Sequence, residues 1–289
     1  MEKGCLPVVI ITPKKYVFHG LWFGGRRPKR GIVFVHGLGS NVFAHHNFLT
    51  PLAGKDTAVL FFNNRGHDTV AGIRRGRRRK PGGKAHEIFT ECVDDIQGAV
   101  NLLRKAKAKK IYLVGHSTGC QKIAYYLSQK NKQRKISGAA LLCPISDYAG
   151  IKKFTPAKKL KRAQATARKL VTQKKPHDLL PKNIWPELID AQRFLSLYTP
   201  ESKEEIFPYA QPGKAPRALQ KIIVPLLTMF AGNDEYRDRS IKEIAAWFKE
   251  NVQSRHHSIT IVPKARHSFK GKEAGVVRAI RKFIARAPR

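Results

Sequence analysis

The stretch Lys110 to Gly119, read K-I-Y-L-V-G-H-S-T-G, constrains the fold of this chain more than any other. Ile111 to Val114 is a short, wholly apolar, partly β-branched run, the pattern of a strand covered on both faces. A Gly-x-Ser-x-Gly turn follows at once, and Cys120, Ile123, Ala124 and Leu127 then place apolar side chains at helical spacing. Strand, sharp turn and helix in that order describe an elbow that presents a serine, with Gly115 and Gly119 where neighbouring backbone must pass closely. Ser117 is therefore the candidate nucleophile. Five matching residues alone also describe ordinary Gly-Ser turns; the flanking strand and helix set this turn apart.

The rest of the chain supplies a sheet around that strand. Leu6–Thr12 and Tyr16–Phe23 pattern as paired strands joined at Pro13-Lys14-Lys15. Gly31–Val35 ends in His36-Gly37-Leu38-Gly39, and Phe43–Leu52 carries a short helix. Thr57–Phe62 runs into the polar loop Asn63 to Asp68, and Ser137–Cys143, Lys221–Phe230 and Ser258–Val262 complete eight strands. Helices alternate with them. In Thr90–Ala108 the residues Val93, Ile96, Val100 and Leu103 recur every three or four positions, with Asp94 and Asp95 in the early turns where the helix dipole favours acid. Ser240–Glu250 and Glu273–Ala285 are further helices. This alternation predicts an α/β chain with a mostly parallel eight-stranded sheet and helices on both faces. Residues 1–147 and 221–289 form the core, and the proline-punctuated residues 148–220 read as an inserted helical lid. Within it, Pro156–Thr172 sets Leu160, Ala163, Ala167 and Leu170 on one stripe and basic residues around the rest, a pattern that suits covering a pocket or lying on anionic lipid.

Charge is the unusual part of the composition. Fifty-six Lys and Arg against 20 Asp and Glu leave a formal +36 in 289 residues, which attracts polyanions or serves solubility. The basic stretch Arg74 to Lys80 before Pro81-Gly82-Gly83 contains no acid and reads as a solvated flexible loop. Cations spread over every segment without interleaved aromatics argue against specific nucleic-acid recognition and leave a weak association with anionic surfaces. Cys5, Cys92, Cys120 and Cys143 are scattered without metal spacing, so reduced thiols and neither metal nor other cofactor are expected. The apolar run Leu6–Ile11, broken by Pro7, is too short for a signal peptide, and no run approaches a membrane span. A cytoplasmic protein is expected.

A serine needs a base to take its proton, and that base needs a third group to hold its tautomer. Ser117, then Asp234 in Ala231-Gly232-Asn233-Asp234-Glu235-Tyr236, then His267 after the last strand, stand in the chain order of the α/β-hydrolases. The chain resembles a serine α/β-hydrolase over nearly its whole length. More narrowly, His86-Glu87, Asp94-Asp95-Ile96, Gly115 to Cys120, Arg193 to Leu197 and Asp234-Glu235-Tyr236 resemble a little-characterised group, a domain of unknown function that includes fungal siderophore esterase relatives. That resemblance implies hydrolysis of a small-molecule carboxylic ester through a Ser117–His267–Asp234 triad and an acyl-enzyme. It also implies an oxyanion hole from the backbone N–H groups of Leu38 and Thr118. Glu235, which lies three residues after Gly232, and Asp147, after the preceding strand, remain competing acids. His36 and His116 read as structural, His256-His257 as surface, and His67-Asp68 as pocket-lining or loop-bracing. Thioester or amide cleavage would use the same triad, and a non-catalytic polyanion-binding protein on a hydrolase scaffold is the alternative from a different class.

Overall fold

The computed structural model describes residues 4–44 and 46–287, and for His46 and Asn47 only the backbone. Residues 1–3, where the N-terminal reading begins, lie outside the described residues. Ten strands form one sheet: β1 (Cys5–Ile11), β2 (Tyr16–Gly24), β3 (Arg30–Val35), β4 (Thr57–Phe62), β5 (Ala71–Arg75), β6 (Arg78–Gly82), β7 (Lys110–His116), β8 (Gly138–Leu142), β9 (Leu226–Ala231) and β10 (His257–Val262). Their order across the sheet is β10-β9-β8-β7-β3-β4-β2-β5-β6, with β1 paired to β2. The run from β10 to β4 is parallel, and β1, β2, β5 and β6 pair antiparallel at the other side.

All eight strands read from the sequence are present, and the basic stretch adds two more. Arg74 and Arg75 pair with Arg79 and Arg78 in a β5–β6 hairpin, so the expectation of a flexible loop is corrected. Arg75 and Lys80 also lie over the Tyr16 ring, at 5.5 and 5.1 Å from its centroid, which lets charged side chains cover an aromatic from outside the sheet.

The central strands bury both faces, and period-two alternation assigns each side chain to a layer. Val33, Val35, Leu60, Phe62 and Leu113 face one core, where α2 (Cys92–Lys105), α3 (Thr118–Ser128) and α8 (Ile241–Asn251) pack; α1 (His46–Leu49) precedes β4 in the chain. Ile32, Phe34, Val59, Phe61 and Val114 face the other core, closed by Phe48, Leu49 and by Val276, Ile280 and Phe283 of α9 (Glu273–Arg286). Side chains such as Phe34 and Phe61, removed almost wholly from water, each contribute on the order of 1.5–3 kcal/mol. Among the described residues no helix is long and apolar enough to cross a membrane.

Between β8 and β9 lie α4 (Asp147–Phe154), α5 (Ala157–Thr172), α6 (Ala191–Tyr198) and α7 (Arg217–Gln220). Leu160, Ala163 and Ala167 of α5 pack on Trp185, Phe194 and Tyr198 in a small apolar cluster separate from the sheet. The separation ends at Tyr198. From Ile206 onward, Phe207, Tyr209 and Leu219 join the core beneath α8, so the last part of the 148–220 segment packs as body rather than cover.

Two buried ion networks add to the sequence reading. Asp94 and Asp95 sit in the first turn of α2 but are buried, and Asp95 receives Arg65 Nε at 2.9 Å and the Arg65 backbone N–H at 3.0 Å. Burial alone would lower the Arg65 pKa; Asp95 and Glu91 more than offset it and hold the guanidinium charged. Farther along, Arg193 of α6 donates to Glu87 at 3.0 Å and pairs with Glu204, while Lys122 of α3 pairs with Glu87 at 2.6 Å. Burial would raise the Glu87 carboxyl, but Lys122 and Arg193 hold it below the ordinary carboxylate range.

Candidate active site

β7 delivers its last residue, His116, into a turn where Ser117 adopts φ 55° and ψ −128°, a backbone conformation costing a non-glycine residue on the order of 1–3 kcal/mol. Two glycines make room for it. A methyl on Gly119 would stand 2.1 Å from the Val35 carbonyl oxygen, and one on Gly37 would stand 2.9 Å from Ser117 Cβ. The loop after β3 therefore lies directly against the serine. Its Leu38 borders a cavity of about 470 Å³ together with Ser117, His267, Tyr236 and Asp147.

The loops after β9 and β10 meet on the far side of the serine. His267 Nδ1 donates to Asp234 Oδ2 at 2.7 Å, which leaves Nε2 as the basic nitrogen facing the cavity side. Asp234 Oδ1 accepts from the Tyr236 backbone N–H at 3.0 Å, so the carboxylate is braced at both oxygens. The neighbouring Glu235 does something different: its Oε2 accepts the backbone N–H of His267 at 2.9 Å and holds the loop, not the ring. Asp147 is farther off on the cavity wall, bonded by Gln121 Nε2 at 2.8 Å. Of the three competing acids, the geometry puts Asp234 on the histidine.

Several groups surround that dyad, His116 in the structural role read from the sequence and Cys143, Lys84 and Glu187 without a role assigned from it. His116 Nε2 donates to the His267 carbonyl at 2.8 Å and its ring lies 5.0 Å from the His267 ring, so a histidine of the elbow fixes the histidine of the distant loop. Tyr236 closes on the other side at 4.9 Å, edge to face. Beneath them Cys143, at φ 53°, directs its thiol to the His267 carbonyl at 3.4 Å, and burial raises its pKa well above the ordinary thiol value. Lys84 and Glu187, paired at 3.0 Å, form part of the cavity wall from opposite segments. Only pairing across more than a hundred residues brings those two together, and no local signal marks it.

Among the described residues neither the Leu38 nor the Thr118 backbone N–H finds an acceptor, and Thr118 begins α3 beside the serine. His36 is buried with Nδ1 bonded to the Gly37 carbonyl at 2.9 Å and Nε2 accepting from the Asn64 N–H at 3.2 Å; burial, aided by Lys122, lowers its pKa to about 3, so it stays neutral and braces the loop. His67 bonds Asp68 at 2.9 Å and Asp68 bonds Asn41 at 2.8 Å, a loop brace outside the cavity lining. His257, read as surface, is half-buried on Thr228 at 3.0 Å, and burial lowers its pKa to about 4. Ser117 Oγ and the His267 ring border one cavity without a direct hydrogen bond, a contact that commonly tightens only when substrate is bound.

A parallel sheet covered on both faces, with a strained serine after its central strand and an Asp–His pair carried by later loops, defines the chain as having the α/β-hydrolase fold. It belongs to the family described as protein of unknown function DUF1749, whose profile matches residues 88–285. No curated protein matches its sequence. Among solved structures it is similar to the siderophore hydrolase EstB from Aspergillus fumigatus, with 18% identity, 98% of each chain covered and a TM-score of 0.69. Similar also are Est1E from Butyrivibrio proteoclasticus, solved with ferulic acid (14% identity, 96% of this chain and 100% of that one, TM-score 0.63), and the Pyrococcus furiosus esterase Pf2001 (16%, 99% and 91%, 0.59). At these identities the likeness establishes the fold.

Proposed function

We propose that the protein is a serine hydrolase of small-molecule carboxylic esters. The observation that carries this reading is the 2.7 Å bond from His267 to Asp234 at the border of the same cavity that receives Ser117 from its strained elbow. Ser117 Oγ attacks the ester carbonyl as His267 Nε2 takes its proton, and the backbone N–H groups of Leu38 and Thr118 receive the developing oxyanion. His267 then gives the proton to the departing alcohol, leaving an acyl-enzyme on Ser117. Water, deprotonated by the same nitrogen, attacks the acyl carbonyl; the acid leaves and the serine regains its proton. Asp234 holds the ring and offsets the imidazolium charge through both proton transfers. Each oxyanion donor is worth on the order of 3–4 kcal/mol of barrier in such sites.

Residues 148–220 act in this reading as the lid and the source of specificity, because Ile151, Phe154, Glu187 and Tyr198 form cavity wall opposite the serine. The solved neighbours named esterase or hydrolase support the reaction class without fixing a substrate. A panel of p-nitrophenyl esters of increasing acyl length, run on wild type and Ser117→Ala, tests it. Release of nitrophenol by the wild type, reduced at least about a thousandfold in the variant, is expected. Equal release by both proteins rules the assignment out.

A further inference from the structure

Asp147 is the anomaly of this cavity. In a chain with 56 Lys and Arg, the other described carboxylate on the cavity wall, Glu187, is paired with Lys84; behind the wall Glu87 and Glu204 sit on Arg193, Asp234 sits on His267, and Glu205, without a cation, has both oxygens occupied by Ser146 Oγ and Gln211 Nε2. Asp147 has none among the described residues. It opens α4 and borders the cavity that holds Ser117, with only the Gln121 amide bonded to Oδ2. The groups packed around it are fixed elsewhere. From α3 come Lys122, on Glu87 and Asn64, and the buried Cys120 thiol; from α6 come Arg193, on Glu87 and Glu204, and Tyr198. From the following segment come Glu204, Glu205 and Tyr209, with both Glu205 oxygens on Ser146 Oγ and the Tyr209 hydroxyl on the Ser146 N–H. Across the cavity, Lys84 is neutralised by Glu187.

We propose that Asp147 determines the specificity of this site by selecting esters that carry a protonated amine placed to reach its carboxylate while the carbonyl lies at Ser117. This rests on ester hydrolysis at Ser117. A carboxyl without a cation in a partly dry pocket is costly to ionise alone, and an incoming ammonium supplies the missing partner. The acids Glu204 and Glu205 behind it add to the attraction for a cation and to the penalty for an empty carboxylate. Consistently, burial, then Glu204 and Glu205, raise the Asp147 pKa to about 8 against the opposing pull of Arg193 and Lys122. The site therefore takes up a cation at the expense of a proton. Below about pH 8 the carboxyl of the free enzyme is protonated and the preference fades; above it the carboxylate is present and the preference is complete, until the amine itself loses its proton near about 10.

The experiment compares p-nitrophenyl esters of ω-amino acids with esters of the fatty acids of the same length, over a series of lengths. The ratio of their kcat/KM values cancels the titration of His267, which both substrates share. In the wild type the ratio for the best length is expected to climb about eightfold from pH 7 to pH 8.5, and in Asp147→Asn to stay flat, whatever the absolute rate of the variant. A ratio that is flat in the wild type at every length, or that still climbs in Asp147→Asn, overturns the proposal. Calorimetric binding of a linear alkylammonium chloride to wild type keeps the question answerable if the variant does not fold or if neither ester is cleaved. Binding that tightens over the same pH range and releases a proton at pH 7 supports the role of Asp147, and pH-independent or absent binding refutes it. Loss of hydrolysis with proton-linked amine binding retained would sink the hydrolase reading alone.

Discussion

Replacing Gly119 with alanine puts a methyl group where the backbone of β3 already lies. The new carbon would stand 2.1 Å from the Val35 carbonyl oxygen, 2.9 Å from Val35 C and 3.0 Å from the His36 carbonyl oxygen. Ordinary carbon contacts begin near about 3.5 Å, so the elbow and β3 must separate by more than about 1 Å. No flexible side chain can yield, since every obstacle is main chain. Overpacking of this kind costs roughly 1–3 kcal/mol, and the backbone obstacle puts Gly119→Ala at the upper end. For a chain of this size that corresponds to a fall of about 5 °C in melting temperature. The movement is also directed: β3 leads into Gly37 and Leu38, so a shift of about 1 Å carries the oxyanion loop away from Ser117 and costs about a hundredfold in kcat. Calorimetric unfolding and nitrophenyl ester kinetics read both effects. Gly275→Ala in α9 is the control, because nothing lies within 4 Å of its added methyl; it should gain about 0.5–1 kcal/mol. If Gly119→Ala melted within about 1 °C of the wild type and kept kcat within about threefold, the contact between elbow and β3 would be wrong.

Other outcomes follow from the same geometry. Asp234→Asn removes the acceptor that sets the His267 tautomer, and kcat should fall by roughly 10³–10⁴ with little change in KM, as stopped-flow or steady-state ester assays would show. Arg193→Met leaves Glu87 and Glu204 buried without their shared cation; denaturant titration should find a loss of about 3–5 kcal/mol. The Glu87 carboxyl lies below its unfolded value, so its stabilising contribution is present above about pH 4 and is lost as the pH falls through the folded-state pKa; Glu87→Gln should flatten acid unfolding over that range. Asp147 has the opposite sign: its pKa is raised to about 8, so the folded state pays a growing penalty between about pH 4 and 8, and Asp147→Asn should raise the melting temperature more at pH 9 than at pH 5. Contact with DNA through the exposed cations of α5 and the β5–β6 hairpin should weaken steeply between about 50 and 200 mM salt in anisotropy titrations; affinity unchanged over that range would point to recognition beyond charge.

The legible parts of this chain are those whose signal is local. β7, the elbow and α3 lie within twenty residues, and the apolar run, the glycines and the helical spacing each report on the same short segment. Asp234 and His267 were findable because each follows its own strand, and chain order then links them. What escaped depends on pairing across the sheet or between segments. The β5–β6 hairpin reads as a loop because six of the seven residues from Arg74 to Lys80 are cationic, and a strand at the sheet margin is held by backbone pairing that charge does not reveal. Asp94 and Asp95 fitted a helix dipole, yet their environment is set by Arg65, about thirty residues earlier. Asp147 could be placed after a strand from the sequence, but that it faces the cavity without a cation is a fact about Arg193, Lys122 and Lys84, each committed to another acid.

The central claim is that Ser117 is a nucleophile activated by His267. Incubation with a fluorophosphonate and peptide mass analysis tests it without knowledge of the substrate. The account predicts one phosphonyl adduct on the peptide that carries Ser117, absent in Ser117→Ala and slowed by at least about a hundredfold in Asp234→Asn. A wild type that stays unlabelled, or a Ser117→Ala protein labelled as fast as the wild type, would contradict it.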